Sequence, residues 1–423
     1  MVVPAEVQVP RTDDSRAEKA PRFFLPALFL GSFGIHVALM SPVYVSLQLK
    51  AQEIAGAGAV DVIGSVLSVG ALGALFANPI AGALSDRTRT RWGRRRPWLY
   101  GGSALLILVL WWISAATSKN ELIAGWLAAQ IIANATLAPF MASFADNVPR
   151  TLRGRASSVL WLSNNVSILA GTYLSVYLVS NLPVLFIAPG FLGLALMLVY
   201  GFVARDEVPE TRLPAFTLKT LAGTFWVNPV KHSDFTLVWL SRLFIVLANF
   251  MFVTFRLLYM QDHLGMSKSK AISAVAFGVL LYTIALLIGT AFSGWLSDRL
   301  QRRKLFVGGS TLLFGVGMVV LARADSVNGF YTAEAVMGLA YGVYLAVDQA
   351  LVVDVLPDGK QSGKDLGVIN IAMALPQSLA PVAALALLKV GSPDAHNYPL
   401  MLWGAALSCL VGALLVLPIK RVR

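Results

Sequence analysis

The chain has 423 residues, of which 57% are hydrophobic and only 13% are charged, and its mean hydropathy is +0.70. A soluble domain carries about a quarter charged residues, so this composition excludes an ordinary soluble protein and predicts a membrane protein. The formal net charge of +12 would fit a nucleic-acid partner, but its distribution along the chain argues against one. The single cysteine, Cys409, excludes an intramolecular disulfide.

Apolar blocks long enough to cross a hydrocarbon layer of roughly 30 Å follow one another along the chain. We expect each block to be a helix, because the backbone has no water to bond inside a bilayer. The predicted helices span residues 23–47, 58–84, 97–116, 122–147, 156–179, 183–203, 235–261, 270–296, 304–322, 329–355, 366–390 and 397–418. The pattern predicts an all-α integral membrane protein with twelve transmembrane helices.

The one long connection, residues 204–234, divides the chain into two six-helix bundles, residues 23–203 and 235–418. It is charged and carries apolar residues at helical spacing, which favours a short interfacial helix. Residues 1–22 and 419–423 are polar and are predicted to be tails.

Lysines and arginines set the expected orientation. Of the 34 lysines and arginines, Arg242 and Arg256 lie inside the seventh predicted helix, and most of the others lie in the tails and the even-numbered connections. Only six lie in the odd-numbered connections: Lys50, Lys119, Lys268, Lys270, Arg323 and Lys389. This bias predicts a multi-pass protein of the cell inner membrane with both termini in the cytoplasm. The positive charge then faces anionic lipid head groups rather than nucleic acid.

Two motifs recur half a chain apart. Residues 82–87 read Gly-Ala-Leu-Ser-Asp-Arg and residues 294–299 read Gly-Trp-Leu-Ser-Asp-Arg, and each is followed by basic residues and Gly-Gly-Ser. The fourth helix of each half ends similarly, with Asp-Asn-Val-Pro at 146–149 and Asp-Val-Leu-Pro at 354–357. Such an internal repeat predicts two pseudo-symmetric halves.

The repeated Gly-x-x-x-Asp-Arg with its basic cluster resembles the signature loop of the major facilitator superfamily. The longer first copy, Ser-Asp-Arg-Thr-Arg-Thr-Arg-Trp-Gly-Arg-Arg-Arg-Pro at 85–97, is similar to the branch of glycoside–pentoside–hexuronide and sucrose–proton symporters. The resemblance implies the major facilitator fold, a monomer, and alternating-access transport of a small polar solute.

We expect these loops to form a cytoplasmic latch. The glycines would let a helix end approach its neighbour, and the acids would accept bonds from helix N-termini or from arginines across the interface between the halves. The alternative is that the arginines only keep the loops on the cytoplasmic side of the membrane. The candidate latch residues are Gly82, Asp86, Arg87, Gly93, Arg94, Arg95, Gly294, Asp298 and Arg299.

Charges at membrane depth are candidate functional groups, because they are costly to place there. Counting residues from the ends of the seventh and tenth helices places Arg242 and Asp348 at the same depth in the membrane. The same count places Arg256 and Glu334 together at a second depth. We therefore expect ion pairs within the C-terminal half, serving either coupling or structure. Tyr341, Tyr344 and Gln377 are substrate-binding candidates of the same half.

In the N-terminal half, amides are the expected ligands of a polyhydroxylated solute, since each amide both donates and accepts. The substrate-binding candidates are His36, Gln130, Asn134, Asn164 and Asn165, with Thr136 as a further cavity residue. His36 could carry a proton or could be a satisfied interhelical histidine. The family resemblance would place an acid at Gln130, so a coupling acid must lie elsewhere, such as Asp348, or coupling is absent.

No nucleotide-binding Gly-Lys-Ser/Thr loop and no His-Glu-x-x-His or Gly-x-Ser-x-Gly motif occurs in the sequence. We therefore expect no enzyme activity, no cofactor and no metal, with a proton or Na⁺ as the coupling ion. The leading hypothesis is proton-coupled uptake of a sugar or glycoside. The alternatives are a proton-antiporting exporter of drugs or metabolites, although the fifth helix lacks the exporters' Gly-Pro step, and a membrane sensor that does not transport.

Overall fold

The computed structural model describes residues 20–149, 152–206, 231–300, 302–355, 362–392 and 396–419. Across these ranges the regular structure is helical, apart from one isolated bridge between Thr90 and Gly93. Residues 207–230, which contain the expected interfacial helix, and most of both tails lie outside the described residues.

The first half contains six helices in the described ranges. Helix α1 covers residues 24–55 in three consecutive parts, Phe24–Ser41, a π-helical turn Pro42–Ser46, and Leu47–Ala55. Pro42 has no N–H to give to the preceding turn, which accounts for the local change of helical type. The others are α2 (Ala59–Arg87), α3 (Arg96–Ala115), α4 (Lys119–Asn147), α5 (Arg153–Leu178) and α6 (Leu182–Val203).

The second half repeats this order. Helix α7 (Ser233–Leu258) continues into a π-helical turn, Tyr259–His263. It is followed by α8 (Lys268–Leu300), α9 (Arg303–Ala322), α10 (Val327–Val355), α11 (Ser362–Leu388) and α12 (Tyr398–Val416). The face on which α1 and α7 begin and α6 and α12 end is called the terminal face below, and the opposite one the distal face.

The predicted end of the first helix at residue 47 is wrong, because the helix continues to Ala55. Its polar last turns resemble a connection in sequence, but Lys50 pairs with Glu53 at 3.1 Å and Gln52 donates to Gln261 at 2.6 Å. Gly56, with a φ of 51°, then ends the helix in a conformation that favours glycine. The other predicted helix ends lie within four residues of the observed ones.

Each half has the same packing pattern. In the first half, α1 packs on α5 and α6, α4 packs on α2 and α3, and α3 packs on α6. In the second half, α7 packs on α11 and α12, α10 packs on α8 and α9, and α9 packs on α12. The two halves meet chiefly through α2 with α11 and α5 with α8, which are equivalent pairs under the repeat. The sequence duplication is therefore also a duplication of packing.

The repeat extends to the helix caps on the distal face. Asn181 begins α6 and Asn397 begins α12, and each side chain accepts the backbone N–H three residues on, at 3.2 Å. A proline follows in the first turn of both helices, where its missing N–H costs nothing.

Close approach of α8 and α10 requires glycine. A Cβ at Gly342 would lie 2.2 Å from the backbone oxygen of Leu286, and one at Gly338 would lie 2.3 Å from that of Tyr282. Small residues at helix contacts are the usual route to tight packing in a membrane. This contact fixes α10, which carries most of the candidate site of the second half.

Ten stretches in the described residues are long and apolar enough to span a membrane, and the first of them, residues 24–87, contains both α1 and α2. Helix α5 is not among the ten, because it carries Asn164, Asn165 and several serines. The protein is thus an all-α membrane protein, and its fifth helix, which the sequence predicts at residues 156–179, is less apolar than these ten stretches.

Candidate functional site

Arg242 of α7 and Asp348 of α10 form a buried ion pair. The guanidinium Nε donates to Asp348 Oδ2 at 2.8 Å, and a second guanidinium nitrogen contacts the same oxygen. Both side chains are almost fully enclosed, at 2% and 3% exposure. The equal depths read from the sequence thus correspond to a contact; its role in transport stays a prediction.

Arg256 and Glu334 form the second pair, closer to the distal face. Arg256 Nε lies 3.0 Å from Glu334 Oε1, and the Glu334 side chain has no exposed surface. The contact lacks hydrogen-bond geometry, and neither Glu334 oxygen has a hydrogen-bond partner in the described part of the chain. The two pairs therefore differ sharply in how well their charges are satisfied.

Tyrosines surround both pairs. The rings of Tyr341 and Tyr344 stack with centroids 5.8 Å apart. The buried Tyr344 hydroxyl lies beside Arg242 and Asp348 without a hydrogen bond of good geometry to either. Tyr282 of α8 lies near Glu334 and Arg256. Aromatic faces and an unbonded hydroxyl are groups that suit contact with a sugar ring.

Tyr44 brings the first half into this group. It lies in the π-helical turn of α1, and the Arg256 guanidinium sits over its ring at 5.9 Å. Tyr44 is not among the residues predicted from the sequence, although its place two residues after Pro42 on the first helix of a half was an available signal.

An amide cluster joins α2 and α4. Asn78 Nδ2 donates to Asn134 Oδ1 at 3.3 Å, and Asn134 Nδ2 donates to the backbone oxygen of Gln130 at 2.9 Å and to its Oε1 at 3.4 Å. All three side chains are partly exposed. Asn78, which the sequence analysis missed, is an amide one residue before Pro79 in an otherwise apolar helix.

His36 Nδ1 donates to the backbone oxygen of Ser32 at 2.7 Å, so the ring is tied to its own helix. Asn165 Nδ2 donates to the backbone oxygen of Trp161 at 2.9 Å, and Asn164 beside it is partly exposed. Gln377 on α11 is exposed and donates to its own helix, to the backbone oxygen of Met373.

The expectation that Thr136 faces the cavity is wrong. Its hydroxyl donates to the backbone oxygen of Ile132, and a Cβ at Gly102 of α3 would lie 2.0 Å from that hydroxyl. Thr136 is therefore buried in the α3–α4 contact, with 1% exposure.

The loop between α2 and α3 is braced within its own half. Arg95 contacts Asp86 at 2.5 Å and donates to the Ser85 hydroxyl at 2.6 Å, while Arg94 donates to Asp146 at 2.7 Å. The expectation that Asp86 pairs across the interface between halves is therefore wrong in this structure. Its partner is Arg95, which the loop folds back against the end of α2.

Asp206, just after α6, is the centre of this brace and was missed from sequence. Its carboxylate accepts the backbone N–H groups of Arg94, Arg95 and Arg96 at 3.1, 2.8 and 2.8 Å. An acid at the start of α3 also complements the helix dipole. Gly93 allows the approach, with a φ of 108° and a Cβ position 2.2 Å from the Asp206 carboxylate.

The second half repeats part of the brace. Arg303 at the start of α9 pairs with Asp354 at the end of α10, as Arg94 pairs with Asp146. Lys304 Nζ donates to backbone oxygens at the end of α12, at 2.8 and 2.6 Å. Arg96 does the same at the end of α6, at 2.8 and 3.0 Å.

The remaining latch residues are placed as follows. Arg87 donates to the backbone oxygen of Ala83 at 2.7 Å, and Arg299 is exposed at the end of α8, where the side chain of Asp298 lies outside the described residues. The expected tight approach at Gly82 and Gly294 is wrong. Among the described residues, a Cβ at Gly82 would meet only Ala138 at 3.8 Å, and one at Gly294 would meet nothing within 4 Å.

Contacts between the halves gather at the distal face. Lys389 Nζ lies 2.6 Å from Asp61 Oδ1, joining α11 to α2, and Gln52 bonds Gln261, joining α1 to α7. A cleft of about 360 Å³ lies beside the second contact. With the Arg256–Tyr44 contact, these interactions hold the distal ends of the two halves together.

A membrane protein of two equivalent six-helix halves, with charged and amide groups buried in its spanning helices, has the architecture of a secondary transporter. The sequence profile of the Major Facilitator Superfamily matches residues 22–282 and again residues 238–423. The chain belongs to the major facilitator superfamily, and it is a membrane transporter rather than an enzyme.

Among curated relatives, the sucrose transport protein SUC4 of Arabidopsis thaliana is 23% identical over 84% of this chain and 82% of its own length. An MFS-type transporter of Bacillus subtilis, YfiU, is 31% identical over 25% of this chain. A symporter of Synechocystis, sll1374, is 43% identical over 15% of it. The chain aligns with only 20% and 12% of the lengths of the latter two proteins.

Two solved structures share the fold. A bacterial homologue of the human lysosomal transporter Spinster, inward-facing and occupied, superposes with a TM-score of 0.72 at 13% identity, covering 95% of this chain and 97% of its own. The nucleoside transporter NupG superposes with a TM-score of 0.74 at 12% identity, covering 94% of this chain and 99% of its own.

Proposed function

We propose that the protein is a proton-coupled symporter that moves a sugar or glycoside across the membrane by alternating access. The observation that carries this proposal is the pairing of an amide cluster in one half with stacked tyrosines beside buried ion pairs in the other. Amides and tyrosine hydroxyls both donate and accept, which suits a solute with many hydroxyl groups. The similarity to a sucrose transport protein over most of the chain supports the same solute class.

Proton coupling needs an acid that can change charge inside the membrane. Gln130 stands where the resemblance would place one, and the two buried acids of the second half, Asp348 and Glu334, are the groups available for that task. A proton is therefore proposed as the coupling ion, with Na⁺ as the alternative that the same carboxylates would serve. The protein is expected to act as a monomer.

The proposed orientation places the terminal face in the cytoplasm of a cell whose inner membrane holds the protein. The basic braces and the exposed Trp92, with Arg91 over its ring at 5.6 Å, lie on that face. Arginine and tryptophan at this level suit contact with anionic lipid head groups.

Cysteine labelling tests this orientation. Cys409 is buried, and in a Cys409→Ala background a cysteine at exposed Arg91 should resist an impermeant thiol reagent added to intact cells. Asn120→Cys, on the exposed distal start of α4, should react. After the cells are opened, both positions should label. Labelling of Arg91→Cys, but not Asn120→Cys, in intact cells would invert the proposed orientation.

The function is tested in proteoliposomes that hold the purified protein and an internal pH dye. Addition of an external sugar or glycoside should acidify the interior, because each molecule enters with a proton. Asn134→Ala should raise the half-saturating concentration about 5- to 150-fold, since it removes an uncharged hydrogen-bonding group worth about 1–3 kcal/mol when its partners stay unpaired.

An exporter would give a different result. Sugars would leave the dye unchanged, while hydrophobic cations would move protons under an imposed gradient. Failure of every solute to move, in protein that is folded and correctly inserted, would favour the sensor. Sugar-dependent current carried by Na⁺ without acidification would replace the proton as coupling ion.

A further inference from the structure

The two buried acids of the second half are satisfied to different degrees. Asp348 receives two guanidinium nitrogens of Arg242, one of them in a hydrogen bond of 2.8 Å. Glu334 is fully buried within contact distance of Arg256, but both carboxylate oxygens and Arg256 Nε lack hydrogen bonds in the described residues. Glu334 therefore has a counter-charge nearby without the bonds that normally accompany a buried one.

This difference decides which acid can exchange a proton. The attraction within a buried ion pair offsets the loss of hydration only when the geometry is good and the remaining lone pairs are bonded. The Arg242–Asp348 pair meets the first condition and the Arg256–Glu334 pair meets neither. A neutral Glu334 carries a smaller burial cost than an ionised one with two unbonded oxygens.

We propose that Glu334 is the group that takes up and releases the coupled proton, and that Asp348 stays ionised as the fixed partner of Arg242. This inference rests on the proposed proton symport. The proton binds one carboxylate oxygen of Glu334 from the distal side and leaves the same oxygen toward the terminal side, so the carboxylate is restored in each cycle.

The groups that face Glu334 explain how its charge is coupled to movement of the halves. Arg256 of α7 is the cation beside it, with Tyr44 of α1 and Tyr282 of α8 nearby. Phe330, one turn earlier on α10, and Gly278 of α8 close the apolar side. Arg256 is thus the only full charge among these groups that responds directly to a change on Glu334.

Arg256 has an alternative partner when Glu334 becomes neutral. Its guanidinium already lies over the rings of Phe252 at 5.1 Å and of Tyr44 at 5.9 Å. Aromatic faces attract a cation more strongly where water is absent. Tyr44 belongs to the other half, so protonation of Glu334 strengthens a contact that closes the distal side. Binding of an external proton thereby favours the change of the substrate-loaded transporter from the outward-facing to the inward-facing state.

The first test needs no substrate. Infrared difference spectra of the purified protein, recorded while pH is stepped, should contain the carbonyl band of a buried carboxylic acid with the usual shift in D₂O. The band should disappear in Glu334→Gln and persist in Asp348→Asn and in Glu53→Gln, the control at an exposed distal acid. Loss of the band in Asp348→Asn alone, or its absence from wild type, would overturn the assignment.

The second test measures accumulation. One pH unit can drive about tenfold accumulation by a one-proton symporter, because a factor of ten corresponds to about 1.4 kcal/mol. Glu334→Gln should abolish this accumulation, bringing the ratio to about one, while exchange of labelled for unlabelled solute continues. Accumulation by Glu334→Gln at the wild-type level would refute the role of Glu334. Absence of proton-driven accumulation in wild type, with the infrared band intact, would refute symport and leave Glu334 as a proton site.

Discussion

Replacement of Asp348 by asparagine is expected to destabilise the folded protein by about 3–5 kcal/mol, the usual cost of removing one partner from a buried ion pair. The cost arises because Arg242, with 2% exposure, would keep its charge without a counter-charge or access to water. Thermal unfolding of the detergent-purified variant measures the loss. An unchanged midpoint would show that Arg242 finds other partners in solution.

A double variant separates stability from function. Arg242→Gln with Asp348→Asn removes both charges and leaves two amides of similar size, so most of the lost stability should return. Asp354→Asn is the matched control, because its pair with Arg303 is partly exposed, and exposed pairs contribute only about 0–1 kcal/mol. A double variant as unstable as the single one would contradict this explanation.

Transport by the double variant then decides the role of the Arg242–Asp348 pair. If Asp348 only holds α7 against α10, the neutral pair should keep proton-driven accumulation once stability is recovered. If Tyr344 and this pair bind the solute, the half-saturating concentration should rise while coupling persists. Loss of coupling with binding retained would instead move the proton site from Glu334 to Asp348.

The braces on the terminal face bear on how the halves move. The links Arg95–Asp86, Arg94–Asp146 and Asp206 to the start of α3 all join helices of one half. A brace of this kind makes α2, α3, α4 and α6 move together. At the distal face, polar contacts such as that of Asp61 with Lys389 join the halves beside the packing of α2 on α11 and of α5 on α8. Two stiff halves that meet along a few helices are what rocking about a central site requires.

The ion pairs of the second half could be predicted because membrane depth is a one-dimensional quantity. Counting 1.5 Å per residue from each helix end places Arg242 level with Asp348 and Arg256 level with Glu334. Charges in hydrocarbon also need partners, which reduces the possible pairings further. Helix order and the repeat were predictable for the same reason, since both follow from block lengths and motif spacing.

Contacts that depend on the azimuth of a helix could not be predicted. Thr136 and Asn134 are two residues apart on α4, yet Thr136 packs on Gly102 while Asn134 bonds to Asn78. A step of two residues turns about 200° around a helix, so Asn134 and Thr136 cannot share a face, but the sequence does not say which of the two faces the cavity. The Tyr44–Arg256 contact adds a second unknown, because it depends on how the two halves meet.

The contacts of Asp206 could not be predicted either, because its partners are distant in the sequence. It follows α6 directly and reads as a solvated acid, whereas its partners are backbone N–H groups more than a hundred residues earlier. Only the packing of α3 on α6 brings them together. The positive φ of Gly93 could not be predicted from the sequence either, although a glycine between a tryptophan and three arginines is compatible with a turn.

Gly93→Ala is accordingly expected to cost about 3 kcal/mol or more. A non-glycine residue in a sparsely populated backbone region costs roughly 1–3 kcal/mol, and each hydrogen bond to a charged group that is lost adds about 1.5–3 kcal/mol. With φ at 108° and the new Cβ placed 2.2 Å from Asp206, alanine must strain the backbone, displace the carboxylate, or both. Yield of folded protein and the thermal unfolding midpoint should both fall.

Gly101→Ala is the matched control for this prediction. Gly101 lies in α3 only eight residues later, and its Cβ would meet no atom of the described ranges within 4 Å. Alanine is there expected to leave stability unchanged or to raise it by about 0.4–1 kcal/mol, because it restricts the unfolded chain and favours the helix.

Combining Gly93→Ala with Asp206→Ala separates the two causes of the stability lost in Gly93→Ala. If the clash dominates, the second change should recover part of the stability that the first removed. If the Asp206 bonds dominate, the double variant should be no more stable than Asp206→Ala alone. Equal midpoints for Gly93→Ala, Gly101→Ala and wild type would mean that the brace around Asp206 does not hold the loop.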